Sequence, residues 1–135
     1  MSSYKPKVLV VDDEARFRET LIKLLNTKTI EATGAESGMQ ALEKIQENTY
    51  DVILLDVRMP GMTGIEALAK IKKIDPLLEV IILTGHASVD TAIEIMKHGG
   101  CEYLLKPCPV DELTARIDAA YERKVTRTKV KAKTP

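Results

Sequence analysis

Apolar positions in this chain fall into two alternating kinds of run. The first kind is short, unbroken and rich in β-branched residues: Lys7-Val8-Leu9-Val10-Val11, a weaker stretch from Ile30 to Gly34, Asp51 to Leu55, Glu79 to Thr84, and Glu102 to Leu105. Runs without polar alternation suit strands covered on both faces, as in parallel sheets. The second kind recurs at helical spacing. Phe17, Leu21, Leu24 and Leu25 predict a first helix from about Glu14 to Asn26, and Ala41, Leu42 and Ile45 a second ending near Asn48. Ile65, Leu68, Ile71 and Ile74 mark a third helix; Val89, Ala92, Ile93 and Met96 form the apolar side of a fourth; Val110, Leu113, Ile117, Ala120 and Tyr121 face inward on a fifth.

Local signals punctuate these elements. Ser37 with Gln40 and Thr63 with Glu66 have the spacing of capping boxes, and Asp75-Pro76 stops the third helix. Ser88 is placed to cap the fourth, Gly99-Gly100 to end it, and Pro109 to open the fifth with Asp111 and Glu112 in its first turn. Strand and helix thus alternate five times, which predicts an α/β doubly wound fold, a five-stranded parallel sheet with five helices on its two faces. Short right-handed connections bring every strand's carboxyl end to one edge, where ligand sites of such sheets lie.

Composition narrows the class. With 135 residues, 44% hydrophobic and 30% charged, the chain fits one domain able to bury a core without staples. Residues 1–6 read as a lead-in and 7–123 as the domain. Residues 124–135 read as a basic tail or linker, since a Lys/Thr-rich end lacks apolar periodicity. The formal charge of zero conceals an asymmetry. Of 20 basic and 20 acidic residues, six basic and one acidic follow Ala120; that leaves 14 and 19 before it, a body charge of about −5. An acidic body argues against nucleic-acid binding by the folded part. No apolar run approaches a membrane span. Cys101 and Cys108 lack a metal spacing and read as reduced thiols in a cytoplasm.

The candidate chemistry sits where strands stop. Asp12 and Asp13 end the first strand, Asp56 the third, Thr84 the fourth and Lys106 the fifth. Taken alone, Asp56 serves as well as a turn cap, Thr84 as an ordinary strand-end hydroxyl and Lys106 as a solvated ammonium. Convergence from four strand ends favours a site. Clustered carboxylates repel and call for positive charge, which a hard divalent cation and Lys106 would supply; oxygen donors suit Mg²⁺ better than zinc. Once neutralised, one carboxylate can act as a nucleophile toward a phosphoryl group, with Lys106 and the Thr84 hydroxyl on the phosphate oxygens. His86 and His98 are badly placed for a joint metal site, and His98 suits a helix end.

These residues carry a family resemblance. Val-Val-Asp12-Asp13-Glu, Leu-Leu-Asp56-Val-Arg-Met-Pro60-Gly, Ile-Leu-Thr84-Gly and Tyr103-Leu-Leu-Lys106-Pro107 resemble the receiver domain of two-component response regulators, in order from about Lys5 to Arg123 and most similar to the receivers of transcriptional activators. The resemblance implies a flavodoxin-like strand order 2-1-3-4-5 and phosphorylation of Asp56 by a sensor histidine kinase or phosphotransfer protein. It also implies Mg²⁺ held by Asp12, Asp13, Asp56 and the backbone carbonyl of Arg58, phosphate gripped by Thr84 and Lys106, and a cis peptide before Pro107. Thr84 and Tyr103 would form a switch that remodels the surface of the fourth helix, fifth strand and fifth helix, with a homodimer on phosphorylation possible by analogy. Arg58 and His86 stand two residues beyond Asp56 and Thr84, positions that tune phosphate loss in the family; Cys108 replaces an aromatic found in many members. Two readings from other classes compete. An aspartyl phosphohydrolase usually wants an acid where Arg58 stands, and a nucleotide or flavin module wants a glycine-rich loop that does not follow the first strand.

Overall fold

The structure, a computed structural model, describes residues 5–86 and 88–133. Its elements in chain order are β1 (Lys7–Val11), α1 (Ala15–Asn26), β2 (Glu31–Ala35), α2 (Gly38–Glu47), β3 (Val52–Leu55), α3 (Gly64–Ile74), β4 (Glu79–Thr84), α4 (Val89–Lys97), β5 (Glu102–Leu105) and α5 (Val110–Lys133). All strand pairs are parallel and the sheet order is β2-β1-β3-β4-β5. This is the doubly wound α/β arrangement expected from the alternation, with β1 and β3 at the centre.

Neighbouring residues of each strand supply opposite layers, which is why the strand sequences show no polar alternation. Leu9, Val11, Ile53, Leu55, Val80 and Ile82 pack with Ala41 of α2, Leu68 and Ile71 of α3 and Ile95 of α4. Val8, Val10, Val52, Leu54, Ile81 and Leu83 pack on the other face with Leu21 and Leu25 of α1 and Leu113, Ile117 and Ala120 of α5. Each such aliphatic side chain contributes about 1.5–3 kcal/mol by leaving water, so the central strands carry most of the driving force.

The helix boundaries follow the local chemistry. Thr63 and Glu66 form a complete capping box at α3, with Thr63 accepting from the Glu66 N–H and the Glu66 carboxylate from the Thr63 N–H. At α2 the box is displaced. Ser37 accepts from the Gln40 N–H, but the Gln40 side chain reaches the Glu36 N–H instead of that of Ser37. Ser88 caps α4, and β2 lies one residue later than its apolar pattern suggests.

Three features are decided by packing rather than by periodicity. In α1, Leu21 and Leu25 are buried but Leu24 is 43% exposed, because the helix turns a narrower face to the sheet than its apolar residues could cover. In α4 the apolar side named by the periodicity faces largely outward: Val89, Ile93 and Met96 are 77%, 49% and 60% exposed, and the buried anchor is Ile95. Periodicity identifies an amphipathic helix, yet it does not say whether the apolar stripe meets the sheet or solvent. Finally, α5 does not give way to a solvated tail after Arg123 but runs on to Lys133.

That extension has an electrostatic cause. Asp51, buried just before β3, accepts from the Lys7 N–H at 2.8 Å and from Lys124 Nζ at 3.0 Å, and Lys124 also donates to the Tyr50 carbonyl. Glu79, almost wholly buried at the start of β4, pairs with Arg123 Nε at 2.9 Å and with the Arg127 guanidinium. Lys124 and Arg127, at the start of the supposed tail, are therefore, with Arg123, counterions for carboxylates at the amino edge of the sheet.

Removing one side of a buried ion pair typically costs ~3–5 kcal/mol, somewhat less where water can reach the site. The Arg123→Ala/Arg127→Ala double variant should lose about 2–4 kcal/mol in urea unfolding with an unchanged m-value, since Glu79 stays buried while the two guanidiniums are partly solvated. A loss under about 0.5 kcal/mol, the worth of an exposed pair, would return these residues to the status of a tail.

Candidate functional site

The carboxyl edge of the sheet begins where ladder pairing runs past β1 and β3. The Asp12 N–H donates to Ala35 O at 3.1 Å and the Asp56 N–H to Val11 O at 3.0 Å, so both carboxylates spring from backbone fixed by the sheet. Asp12 and Asp56 are buried, whereas Asp13 is exposed. Asp12 Oδ1 accepts from the Glu14 N–H at 3.0 Å, a local turn that starts α1, and Arg18 Nη1 braces the Asp12 carbonyl at 2.7 Å. At β3 the close approach of α3 needs glycine. A Cβ on Gly64 would strike the Asp56 carbonyl oxygen and lie 2.6 Å from Val57 Cα, while the Gly64 N–H donates to Val57 O at 2.8 Å.

Lys106 enters from β5. Its N–H donates to Thr84 O at 2.8 Å, and the Lys106–Pro107 peptide is cis. Its ammonium lies 2.7 Å from Asp12 Oδ2, 3.6 Å from Asp56 Oδ2 and 3.7 Å from Glu14 Oε1, and 4.1 Å from the centroid of the Phe17 ring. Burial by itself would lower the Lys106 pKa. The Asp12 hydrogen bond and the charges of Asp12, Asp56 and Glu14 outweigh it and hold the group above its ordinary value, so Lys106 is a cation at neutral pH.

Asp12, Asp13 and Asp56 each offer a carboxylate oxygen, and these atoms lie within 4.8 Å of one another. Of the five expected strand-end residues, Asp12, Asp13, Asp56 and Lys106 are thus gathered at one point. Thr84 is fully buried at the end of β4, and its hydroxyl accepts from the His86 N–H at 3.4 Å. Half-buried Tyr103 reaches the same loop: its phenol donates to the His86 carbonyl at 2.6 Å and accepts from the Ser88 N–H at 3.3 Å. The Arg58 N–H points at Asp56 Oδ1 from 3.4 Å, and its side chain is exposed.

The remaining ligand types lie elsewhere. His98 caps the carboxyl end of α4 beside Glu94. Both cysteines are free, and burial, with help from the Glu79 charge, pushes the Cys101 thiol up to about 11, which keeps it protonated. Sequence reading overlooked three contributors. Phe17 counted only as part of an apolar helix face, Glu14 only as the start of the first helix, and Gly64 not at all, although a glycine at the first position of a helix is itself a signal of close backbone approach.

A centre of this kind can do two things: offer several anionic oxygens to a hard cation, and present one buried carboxylate beside a fixed ammonium to an electrophile that carries negative charge.

Comparison with known proteins gives a consistent answer. The family model described as "Response regulator receiver domain" matches residues 8–118. The transcriptional regulatory protein ZraR of Escherichia coli (strain K12) is 42% identical over 113 residues, 84% of this chain and 26% of that protein. The DNA-binding transcriptional regulator NtrC of Klebsiella pneumoniae is 40% identical over 111 residues, 82% of this chain and 24% of its own length. The chain therefore spans about a quarter of the curated relatives it matches. Among solved structures, a response regulator receiver domain from Clostridium thermocellum superposes with TM-score 0.85 at 40% identity, covering 90% of this chain and 98% of that one. A CheY-like receiver domain protein from Methanospirillum hungatei gives 0.88 at 25% identity, covering 92% and 99%.

Crowding of like charge is testable without any ligand. In low-salt buffer free of divalent cations, Asp13→Asn should raise the free energy of unfolding by about 0.5–1 kcal/mol, because it removes repulsion from Asp12 and Asp56 at a solvent-exposed position. Urea titration checks this; an unchanged or lowered stability would mean that Lys106 already neutralises the cluster.

Proposed function

This chain belongs to the response regulator receiver domain family, and we propose that in it Asp56 accepts a phosphoryl group from a phosphohistidine on a sensor histidine kinase or phosphotransfer protein. The observation that carries this reading is the Lys106 ammonium lodged between Asp12 and Asp56, with three carboxylate oxygens within 4.8 Å. Asp12 and Asp56 are both buried and backbone-fixed. Asp12 is held by Lys106 at 2.7 Å and by the Glu14 N–H at 3.0 Å, whereas the Asp56 oxygens have their neighbours at 3.6 and 3.4 Å, which makes Asp56 the carboxylate more available as a nucleophile.

The donor set suits a hard divalent cation, since it consists of carboxylate oxygens without nearby thiol or imidazole. Asp12, Asp13 and Asp56 would hold Mg²⁺, joined by the Arg58 carbonyl at the turn after β3. When bound, the ion would neutralise the clustered carboxylates and share the charge of the phosphoryl oxygens. The protein's own part is positional. An Asp56 oxygen attacks phosphorus in line while the phosphorus–nitrogen bond of phosphohistidine breaks, its electron pair leaving on the imidazole nitrogen. Lys106 neutralises an equatorial oxygen of the transferring group, and the Thr84 hydroxyl turns from the His86 N–H to donate to another. General-base help is unnecessary, because the nucleophile is already an anion.

The outcome is regulatory. Engagement of Thr84 by phosphate would compete with its bond to the β4–α4 loop, the loop that the Tyr103 phenol grips at His86 and Ser88. The new contacts would bias the packing of Tyr103 and α4 toward a second arrangement. Next to them Val89, Ile93 and Met96 form an exposed apolar face suited to a second copy or an effector. The longer relatives are transcriptional regulators, so a DNA-binding output elsewhere in a full-length protein is in keeping with the reading, as is a cytoplasmic setting for two free thiols. Among the described residues no helix is long and apolar enough to cross a membrane.

With Mg²⁺ and a small acyl phosphate, the intact mass should rise by one phosphoryl group in the wild type and not in Asp56→Asn. Label persisting in that variant would remove Asp56 from its role, and turnover beyond one equivalent of a phosphomonoester would favour the hydrolase alternative.

Mg²⁺ at a hundred times its dissociation constant should stabilise the wild type by about 2.7 kcal/mol. Most of that gain should vanish in Asp13→Asn and on addition of EDTA. Equal stabilisation of both proteins would place the ion somewhere else.

A further inference from the structure

We infer that Phe17 is a positioning residue for phosphoryl transfer, its ring serving as the wall that holds the Lys106 ammonium against Asp12 and Asp56. The inference rests on Asp56 as phosphoacceptor, and it adds to that reading a residue whose chemistry is neither acidic nor basic.

The geometry is specific. Lys106 Nζ stands 4.1 Å from the ring centroid, within range of the attraction between a cation and the negative face of an aromatic ring. The same nitrogen has carboxylate oxygens at 2.7, 3.6 and 3.7 Å from Asp12, Asp56 and Glu14, and its side chain is only 16% exposed. The carboxylates and the ring together enclose it. An aliphatic residue in place of Phe17 would fill similar space but offer no electrostatic hold, leaving a long flexible side chain free to swing toward solvent and Glu14.

The ring is itself fixed by the segment that builds the site. The Asp12 turn starts α1, Arg18 ties that helix back to the Asp12 carbonyl, and Phe17 packs against the core cluster between the sheet and α1 and α5. The strand end that supplies Asp12 and Asp13 therefore also sets where the ring stands, and through it where the ammonium of a distant strand stands. With an acyl phosphate as donor, the new bond forms between an Asp56 oxygen and phosphorus. The bond from phosphorus to the acyl carboxylate breaks, its electron pair leaves on that carboxylate, and no proton moves. An ammonium held in place needs no reorganisation as charge shifts onto the equatorial oxygens.

Phe17 is the sole phenylalanine of the chain, so growth on fluorinated phenylalanines alters this one ring and no other. Fluorine drains the ring's negative face with little change of shape. The rate constant for phosphorylation with Mg²⁺ and a saturating small acyl phosphate should fall stepwise from phenylalanine to its mono-, di- and trifluoro forms, by about threefold to tenfold over the series. Phe17→Leu should fall as far, and Phe17→Tyr should restore most of the rate. Unfolding midpoints measured on each protein separate this from loss of fold. A readout independent of activity accompanies it: in the ion-free protein the Lys106 ε-methylene protons should be shifted upfield by the ring current, and that shift should vanish in Phe17→Leu. A flat fluorination series, or a full rate in Phe17→Leu, overturns the inference while wild-type phosphorylation leaves the Asp56 reading intact. Absence of any mass gain in the wild type overturns both.

Discussion

Burying a carboxylate without a partner costs several kcal/mol, and this fold buries carboxylates at both edges of one sheet. At the carboxyl edge they are Asp12 and Asp56; at the amino edge, Asp51 and Glu79. The charged side chains paired with them come from the end of the chain. Lys106 follows β5, and Arg123, Lys124 and Arg127 lie on α5. The last βα unit therefore supplies the countercharge for carboxylates carried by β1, β3 and β4, and these strands are electrostatically complete only once it has docked.

The two edges differ in how completely they are neutralised, and the difference separates structure from chemistry. Glu79 has two guanidiniums, and Asp51 has an ammonium and a backbone N–H. At the other edge one ammonium serves Asp12, Asp56 and Glu14, with Asp13 close by. A satisfied network specifies a conformation and then stays inert. The undersupplied one retains affinity for further positive charge and leaves a carboxylate oxygen available to an electrophile. The edge proposed to be reactive is the unbalanced one.

What could be read from the residues alone follows from which forces are local. Unbroken apolar runs ending in Asp12, Asp56, Thr84 and Lys106 announce strands and their chemistry together, because crossover handedness brings strand ends to one edge whatever the detail. The capping pattern at Thr63 and Glu66 is equally local and holds atom for atom. Partnerships across long separations are invisible to such reading. Arg123 meets Glu79 over 44 positions and Lys124 meets Asp51 over 73, so the α5 extension looked like a solvated tail. Phe17 hid in the same way, since one aromatic satisfies an apolar helical position and also lies 4.1 Å from the ammonium of another strand. Gly64 shows its purpose only once α3 is laid against the end of β3.

The outward apolar face of α4 bears on how a change at Asp56 could travel. Elements that move are drawn from the weakly held part of a structure, and α4 fits that description: its buried residue is Ile95, while Val89, Ile93 and Met96 face outward. Its amino end hangs on the Tyr103 phenol, which bonds the His86 carbonyl and the Ser88 N–H, and on the loop that takes the Thr84 hydroxyl as acceptor. These are neutral hydrogen bonds worth about 0.5–1.5 kcal/mol each, small beside a charged contact to a phosphoryl oxygen. Moving a two-state equilibrium from 1:99 to 99:1 takes about 5.5 kcal/mol of differential binding. A few charge-assisted bonds on one side, set against these neutral ones on the other, are of that order. On the proposed reading, the weak hold on α4 is thus what would let a local gain at Asp56 repack a surface.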